Sequence, residues 1–303
     1  MPRAISIHVG VNRPGGRSEA DLVHSEATAV RMARLAGEAG SGSPLVLCGP
    51  WATREAVVQA LQRAAGLLGR DDRLLVTFSG HGCEQADMDQ GALRDRSGQD
   101  QGWCLHDGTL LDDQLLACWQ QFNPGVHIVV VSESCYSGDV ARDEPLDFCR
   151  AVGATLPAAR GEGTVYRDGT IVYPDGTTVR PDGRVERPPA AAVSRDDPYR
   201  GPPGAYGAPC VSTPGSNDGI QARLLLLAAC QANQQARDGL FSCHLLSVWD
   251  GGAFGGSYCE LYHRIRGRIM ADANSRQEPN IMVLGSGEAG MALEPAFHVP
   301  VYR

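Results

Sequence analysis

Two continuous runs of apolar residues constrain the fold of this chain more than any other feature. The first occupies residues 73–78 (RLLVTF) and the second residues 126–132 (VHIVVVS). A run without polar alternation is typical of a strand that is covered on both faces, as in parallel sheets. Segments with helical periodicity lie between these runs and other strand-like runs. The chain is therefore predicted to have an α/β fold with a mostly parallel sheet.

The remaining predicted elements continue this alternation. Further strands are predicted at residues 5–11, 45–48, 222–229 and 280–284. Helices are predicted at residues 20–39, 112–121 and 256–271, together with one that follows Thr53 as its N-cap. The pattern stops near residue 153 and resumes near residue 219. Because neither part forms a complete domain by itself, 1–153 and 219–303 are predicted to be two halves of one domain.

The charge inventory excludes several functions. The chain has 303 residues and a formal net charge of −8, and all of its 27 basic residues are arginines. An acidic chain with scattered arginines has no basic footprint for nucleic acid. The lack of lysine excludes a Schiff-base lysine and a phosphate-binding-loop lysine.

Location and redox state follow from the apolar residues and the cysteines. No run approaches the roughly 18 apolar residues that cross a bilayer, and the N-terminus lacks the pattern of a signal peptide. We therefore expect a soluble cytoplasmic protein that does not bind membranes. The ten cysteines form no CxxC pair or zinc-site spacing, so they are expected to be free thiols.

Residues 154–218 differ in composition from both flanks. They hold more than half of the chain's 19 prolines. They also contain a seven-residue repeat that starts at Tyr166, Tyr173 and Arg180, each unit having an Asp-Gly turn followed by a β-prone pair. A small ribbon is one interpretation of this repeat. The favoured interpretation is a surface insertion or processing linker with a disordered Pro-rich tail at 187–214.

Two strand ends carry residues suited to nucleophilic catalysis. Residues 79–82 (SGHG) follow one apolar run, and residues 132–138 (SESCYSG) end the other. The carboxyl ends of neighbouring parallel strands meet at one edge of a sheet, so His81 and Cys135 are expected to face each other. An imidazole can stabilise the cysteine thiolate and transfer protons, and the N–H groups of Gly82 and Cys135 could form an oxyanion hole. The alternative is a loop histidine and a structural thiol, which the flanking glycines disfavour.

These motifs resemble those of the caspase-like cysteine peptidases, and most closely the bacterial metacaspase-type members. Residues 102–108 (GWCLHDG) and 227–234 (LAACQANQ) are also similar to family segments, so that only about 154–218 lies outside the resemblance. The resemblance implies a caspase-like three-layer α/β/α sandwich with a central, mostly parallel sheet of about six strands. It also implies a monomeric cysteine endopeptidase with Cys135 as nucleophile and His81 as its partner. Two departures are Tyr136 for a frequent histidine and Glu133 for an aspartate.

The resemblance further implies an acidic pocket for the substrate residue that precedes the cut. The matching residues are Glu133, Glu26 and Ser79. Two carboxylates would bind a guanidinium and reject an aspartate, so cleavage is predicted after arginine, with lysine as a second option. For Glu26, an ordinary solvated helix residue is an equally good interpretation.

Calcium is a further implication of the resemblance, because metacaspases often need this ion. Asp107, Asp112 and Asp113 could supply oxygen ligands. The favoured interpretation of Asp112 is a helix N-cap, and the chemistry itself requires no cofactor.

The expected partner is a protein substrate with arginine at the cleavage position, for which a gasdermin-like death effector is a candidate by resemblance. Self-cleavage is predicted in the insertion, which carries Arg160, Arg167, Arg180, Arg184, Arg187, Arg195 and Arg200. Two alternatives stay open. One is a clostripain-like or legumain-like peptidase, and the other is a catalytically weak homologue that acts as a regulatory scaffold.

Overall fold

The computed structural model describes the two predicted halves and a small part of the segment between them. The described residues are 2–15, 21–86, 99–134, 219–231, 234–272, 275, 277–286 and 289–298, together with the backbone of four two-residue strands between 164 and 186. Cys135 and most of 154–218 therefore lie outside the described residues.

A six-stranded sheet forms the centre of the molecule. Its strands are β1 (Ala4–Gly10), β2 (Leu45–Cys48), β3 (Arg73–Ser79), β7 (His127–Glu133), β12 (Arg223–Ala228) and β13 (Asn280–Gly285). The order across the sheet is β13-β12-β7-β3-β1-β2. All neighbours are parallel except β13, which pairs antiparallel with β12. The mostly parallel sheet is thereby confirmed, and strands from both sides of 154–218 belong to it.

Helices cover both faces of this sheet. They are α1 (Ser25–Glu38), α2 (Arg54–Leu67), α3 (Asp112–Trp119), α4 (Leu240–Trp249) and α5 (Tyr258–Met270). Alternate strand residues pack on opposite faces. Ile128 and Val130 join the core beneath α2 and α3, whereas Val129 and Val131 join the core beneath α1, α4 and α5. The three-layer α/β/α architecture is confirmed.

Two small antiparallel sheets accompany the central one. The first contains β4 (Gly82–Ala86), β5 (Gln99–Leu105) and β6 (Gly108–Leu111), in the order β4-β5-β6. The second is a ribbon of β8 (Thr164–Val165), β9 (Ile171–Val172), β10 (Thr178–Val179) and β11 (Val185–Glu186). The spacing of seven residues shows that the repeat builds a ribbon. The Pro-rich stretch 187–214 lies outside the described residues.

Local details confirm some predictions and correct one. Thr53 is the N-cap of α2, and its hydroxyl accepts a hydrogen bond from Ala56 N–H at 3.2 Å. Asp112 is not an N-cap, because α3 begins at Asp112 itself and Leu111 holds the cap position. The seven cysteines in the described part of the chain are free thiols. No helix among the described residues is long and apolar enough to cross a bilayer.

Candidate active site

The carboxyl ends of β3 and β7 lie side by side at one edge of the central sheet. Ser79, the last residue of β3, is paired in register with Glu133, the last residue of β7. His81 follows Ser79 by two residues, and Cys135 follows Glu133 by two residues. The chain therefore continues from neighbouring strand ends into both residues of the predicted dyad, although Cys135 itself lies outside the described residues.

The backbone around His81 is held from two sides. Gly80 N–H donates to the carbonyl of Glu133 at 3.2 Å, and Cys104 N–H donates to the carbonyl of His81 at 2.9 Å. A Cβ at Gly80 would lie 2.7 Å from the ring of Phe78, so this close turn requires glycine. The imidazole of His81 is half-buried.

Gly82 is suited to donate a hydrogen bond to a bound substrate. It pairs with Trp103 in the β4–β5 ladder. Because Cys104 N–H bonds to the carbonyl of His81, Gly82 and Trp103 form a non-hydrogen-bonded pair of this antiparallel ladder. The ladder therefore does not use the N–H of Gly82, which stays available as an oxyanion donor.

Glu133 is only 4% exposed, and each of its carboxylate oxygens accepts a hydrogen bond. Oε2 accepts from Ser79 Oγ at 3.4 Å, and Oε1 accepts from Ser242 N–H at 3.1 Å. Burial raises the pKa of Glu133 to about 7, against the lowering effect of hydrogen bonds from Ser242 and Phe241. Two of the three predicted pocket residues, Ser79 and Glu133, are thus brought together.

Asp238 is a nearby carboxylate that the sequence analysis did not single out. Its negative charge contributes to the raised pKa of Glu133. Asp238 Oδ2 accepts from the N–H groups of Val23 at 2.8 Å and His24 at 3.0 Å, just before α1. The only sequence signal was an Asp-Gly pair ahead of an apolar segment, which is typical of a helix start.

Glu26 occupies a different place at the same edge of the sheet. Its Oε1 accepts from Asn12 N–H at 3.4 Å, and Glu26 N–H donates to Asn12 Oδ1 at 3.1 Å. The carboxylate also lies beside the backbone of Gly49, which follows β2. Glu26 therefore contacts the segments that follow β1 and β2, whereas Glu133 contacts Ser79 and the first turn of α4.

The structure does not bring the three aspartates predicted for calcium together into a group of ligands among the described residues. Asp107 Oδ1 accepts from Arg54 N–H at 2.8 Å, and its Oδ2 lies 3.8 Å from Arg54 Nε. Asp112 and Asp113 lie in the first turn of α3. Within the described ranges there is no group of three His, Cys, Asp or Glu side chains that could hold a metal ion. Activation by calcium stays a prediction, and no step below passes through a metal.

Comparisons with known proteins find a matching family model and similar solved structures. Residues 48–143 match the family model of the metacaspase, peptidase C14 domain, which spans both His81 and Cys135. The crystal structure of protein GSU0716 from Geobacter sulfurreducens is similar with a TM-score of 0.64 and 26% identity, covering 99% of this chain and 100% of that one. Caspase-1 from Spodoptera frugiperda has a TM-score of 0.47 and 12% identity, covering 95% and 90% of the two chains. A comparison with curated proteins finds no match.

Proposed function

We propose that this chain is a caspase-like, metacaspase-type cysteine endopeptidase with a Cys135–His81 dyad that cleaves proteins after arginine. The match of residues 48–143 to the metacaspase, peptidase C14 domain supports the family. The observation that carries this proposal is the in-register pairing of Ser79 with Glu133. Neighbouring parallel strands lead the chain into the histidine and the cysteine from the same edge of the sheet. Sites in open α/β sheets are built at such edges.

The proposed reaction proceeds through a thioester. The Cys135 thiolate attacks the scissile carbonyl carbon, and the oxyanion is stabilised by the N–H groups of Gly82 and Cys135. The C–N bond then breaks, and the His81 imidazolium donates its proton to the leaving amine. His81 next takes a proton from water, which attacks the thioester. The C–S bond breaks, the thiolate is restored and the product acid leaves.

Specificity for arginine is supported by the charge at the end of β7. Glu133 and Asp238 make this region negative, and Ser79 adds a hydroxyl acceptor beside Glu133. A guanidinium can donate to two carboxylate oxygens at once, whereas an aspartate would be repelled. Glu26 is proposed as a second carboxylate at the same edge. Lysine would bind as a single donor and is expected to be a weaker substrate.

The protein substrate includes the chain itself in this proposal. Segment 154–218 carries seven arginines between the two halves, and we propose self-cleavage there. A gasdermin-like death effector is proposed as a separate substrate. A cytoplasmic location and a monomeric state are part of the same proposal.

Four fluorogenic peptides that differ only in the residue before the cut test this function. We expect the arginine peptide to be cleaved fastest, lysine more slowly, and aspartate and asparagine at background. Cys135→Ala and His81→Ala should each reduce turnover by at least about a thousandfold, because the cysteine and the histidine act together and neither is effective without the other. Cleavage of the aspartate peptide alone would contradict the specificity, and cleavage after asparagine would favour a legumain-like enzyme. No turnover of any peptide, with or without calcium, would favour the scaffold.

A further inference from the structure

A chain of hydrogen bonds runs from Trp103 in β5 to Ser134, the residue before Cys135 in the sequence. Trp103 Nε1 lies 3.1 Å from Ser132 Oγ, which lies 3.2 Å from Ser134 Oγ. All three side chains are buried. An indole N–H can only donate, so the hydroxyl of Ser132 accepts from Trp103 and keeps its own proton for another acceptor. The oxygen of Ser134 lies within reach of that proton.

The carbonyl of Ser134 is held independently. The thiol of Cys230, just beyond the end of β12, lies 3.3 Å from this carbonyl oxygen and 3.3 Å from that of Gln234, so its single proton is shared between the two acceptors. Ser134 is thus restrained at both its side chain and its backbone, from β7, β12 and β5. The next atom along the backbone is the nitrogen of Cys135, to which Ser134 is covalently bonded.

Trp103 is also connected to the histidine. Its ring stacks on Phe78 with centroids 4.6 Å apart and an angle of 10° between the planes, and Phe78 lies three residues before His81. The neighbouring residue Cys104 donates its N–H to the carbonyl of His81. The fully buried side chain of Trp103 therefore contacts both β3 and β7, the two strands that lead into the dyad.

We propose that Trp103 is a positioning residue that acts through the hydroxyls of Ser132 and Ser134 to hold the backbone from which the chain continues into the nucleophile Cys135. This inference rests on the proposed function, because the dyad gives this restraint its purpose. The indole N–H fixes the Ser132 hydroxyl, and the Ser132 hydroxyl fixes Ser134. A nucleophile displaced by a fraction of an ångström loses its alignment with the base and the oxyanion donors.

The test compares Trp103→Phe and Ser134→Ala with the control Trp119→Phe. Trp103→Phe retains a ring for the Phe78 stack but removes the N–H donor and part of the buried volume. Ser134→Ala removes the last hydroxyl and leaves the tryptophan in place, and Trp119→Phe controls for the lost volume. Trp119 is another buried tryptophan of the same core cluster, located in α3. Turnover of the arginine peptide and alkylation of Cys135 by iodoacetamide between pH 5 and 9 are measured, the latter by mass spectrometry of the peptide that contains Cys135.

We expect both test variants to reduce kcat about tenfold with KM changed less than about twofold, and to shift the midpoint of alkylation to higher pH. Trp119→Phe should lower Tm and leave kcat and the midpoint as in the wild type. The proposal would be overturned if both test variants had the kcat and the alkylation midpoint of the wild type. It would also be overturned if Trp103→Phe and Trp119→Phe changed these two quantities by the same amount. Because alkylation needs no substrate, it decides this proposal even if no peptide is cleaved, a result that would count against the proposed function alone.

Discussion

Burial and hydrogen bonding act in opposite directions on Glu133. Burial raises its pKa to about 7, while hydrogen bonds from Ser242 and Phe241 lower it and the charge of Asp238 raises it. The side chain therefore changes charge near neutral pH, where an unburied glutamate would be fully ionised. A substrate guanidinium needs the ionised form, so arginine recognition and the protonation of Glu133 are coupled.

This coupling predicts that the preference for arginine increases with pH. Citrulline has nearly the same shape as arginine but carries no charge. Titration of the dyad affects the cleavage of an arginine peptide and of the matching citrulline peptide equally. The ratio of their kcat/KM values is therefore independent of that titration. We expect this ratio to rise through about pH 7 in the wild type, reporting the pKa in the free enzyme. In Glu133→Gln it should be low and independent of pH. A ratio that is flat in the wild type would contradict recognition by Glu133.

Thermal unfolding gives a second measure of the same group. Because the folded-state pKa of Glu133 is raised above its unfolded value, its contribution to the free energy of unfolding is complete below about pH 4.5 and is lost as pH rises through about 7. Glutamine resembles the protonated acid. We therefore expect Tm to fall less between pH 5 and 8 in Glu133→Gln than in the wild type, and an equal fall in both proteins would contradict the raised pKa.

At the scale of elements, the starts of helices α1 and α4 each bind a carboxylate from another part of the chain. Neither helix has a side-chain cap at its own N-cap position, which is His24 for α1 and Gly239 for α4. Asp238, just before α4, accepts from backbone N–H groups that precede α1. Glu133, from β7, accepts from Ser242 in the first turn of α4. Each helix start is thus stabilised by a carboxylate from another part of the chain.

Removal of the Asp238 carboxylate should loosen the start of α1. We expect Asp238→Ala to reduce the free energy of unfolding by about 1–2 kcal/mol, the usual value of a helix cap, as measured by urea titration. Asp238→Asn retains an acceptor oxygen and should cost less. Both variants remove a charge that raises the pKa of Glu133, so the midpoint of the arginine/citrulline ratio should move to lower pH. An unchanged midpoint would show that Asp238 acts on the helix alone.

The elements that the sequence predicted are those with continuous or periodic apolar residues. The strands of the central sheet and helices α1, α2, α3 and α5 were expected, whereas β5 and α4 were not. β5 (QDQGWCL) mixes polar residues and a glycine, where a Cβ at Gly102 would lie 2.6 Å from the Leu110 carbonyl. α4 (LFSCHLLSVW) is apolar on most of its surface, so it shows no helical period.

The candidate site was predicted where it follows strand ends and was missed where it depends on folding at long range. Ser79 and Glu133 are adjacent because they end neighbouring parallel strands, which the apolar runs indicate. Trp103 reaches Ser132 across 29 residues only because β5 folds back beside β4. Asp238 reaches Val23 across 215 residues, a contact that requires the helical layer to be assembled. Contacts of this kind have no local sequence signature.

At the scale of the whole molecule, Glu294 ties the C-terminal segment to three strands of the sheet. Its carboxylate lies 3.1 Å from Arg73, 2.9 Å from Arg223 and 3.3 Å from His127, which stand at the starts of β3, β12 and β7. Burial alone would raise the pKa of Glu294, but the hydrogen bond and charge of His127 and the two arginines outweigh it and lower the pKa to about 2.

Glu294 should therefore stabilise the fold above about pH 4.5, the unfolded-state value, and lose this contribution as pH falls toward 2. We expect Glu294→Gln to reduce the free energy of unfolding at pH 7 by about 2 kcal/mol, because two partly buried arginines lose a charged partner. The difference between wild type and variant should diminish from pH 5 to pH 3. A constant difference over this range would assign the effect to packing.

The same sheet determines what a break in segment 154–218 would do. All six residues of β12 pair with β7 along one edge of the strand, and β12 pairs with β13 along its other edge. Leu224, Leu225, Leu226 and Leu227 are buried in the two cores. At about 25 cal/mol per Å² of buried apolar surface, separation of the halves would cost far more than a single backbone break gains in entropy.

The test uses the Cys135→Ala variant after limited cleavage between the two halves by a trace of trypsin. We expect the cut protein to elute from a size-exclusion column as one particle. It should separate into two fragments only under denaturing conditions. Trypsin cuts after arginine, and segment 154–218 carries seven arginines. The cut particle should bind a labelled arginine peptide as tightly as the uncut variant, since the described site lies at strand ends that the cut leaves paired. Elution as two smaller species would show that covalent continuity through 154–218, and not the pairing of β7 with β12, holds the site together.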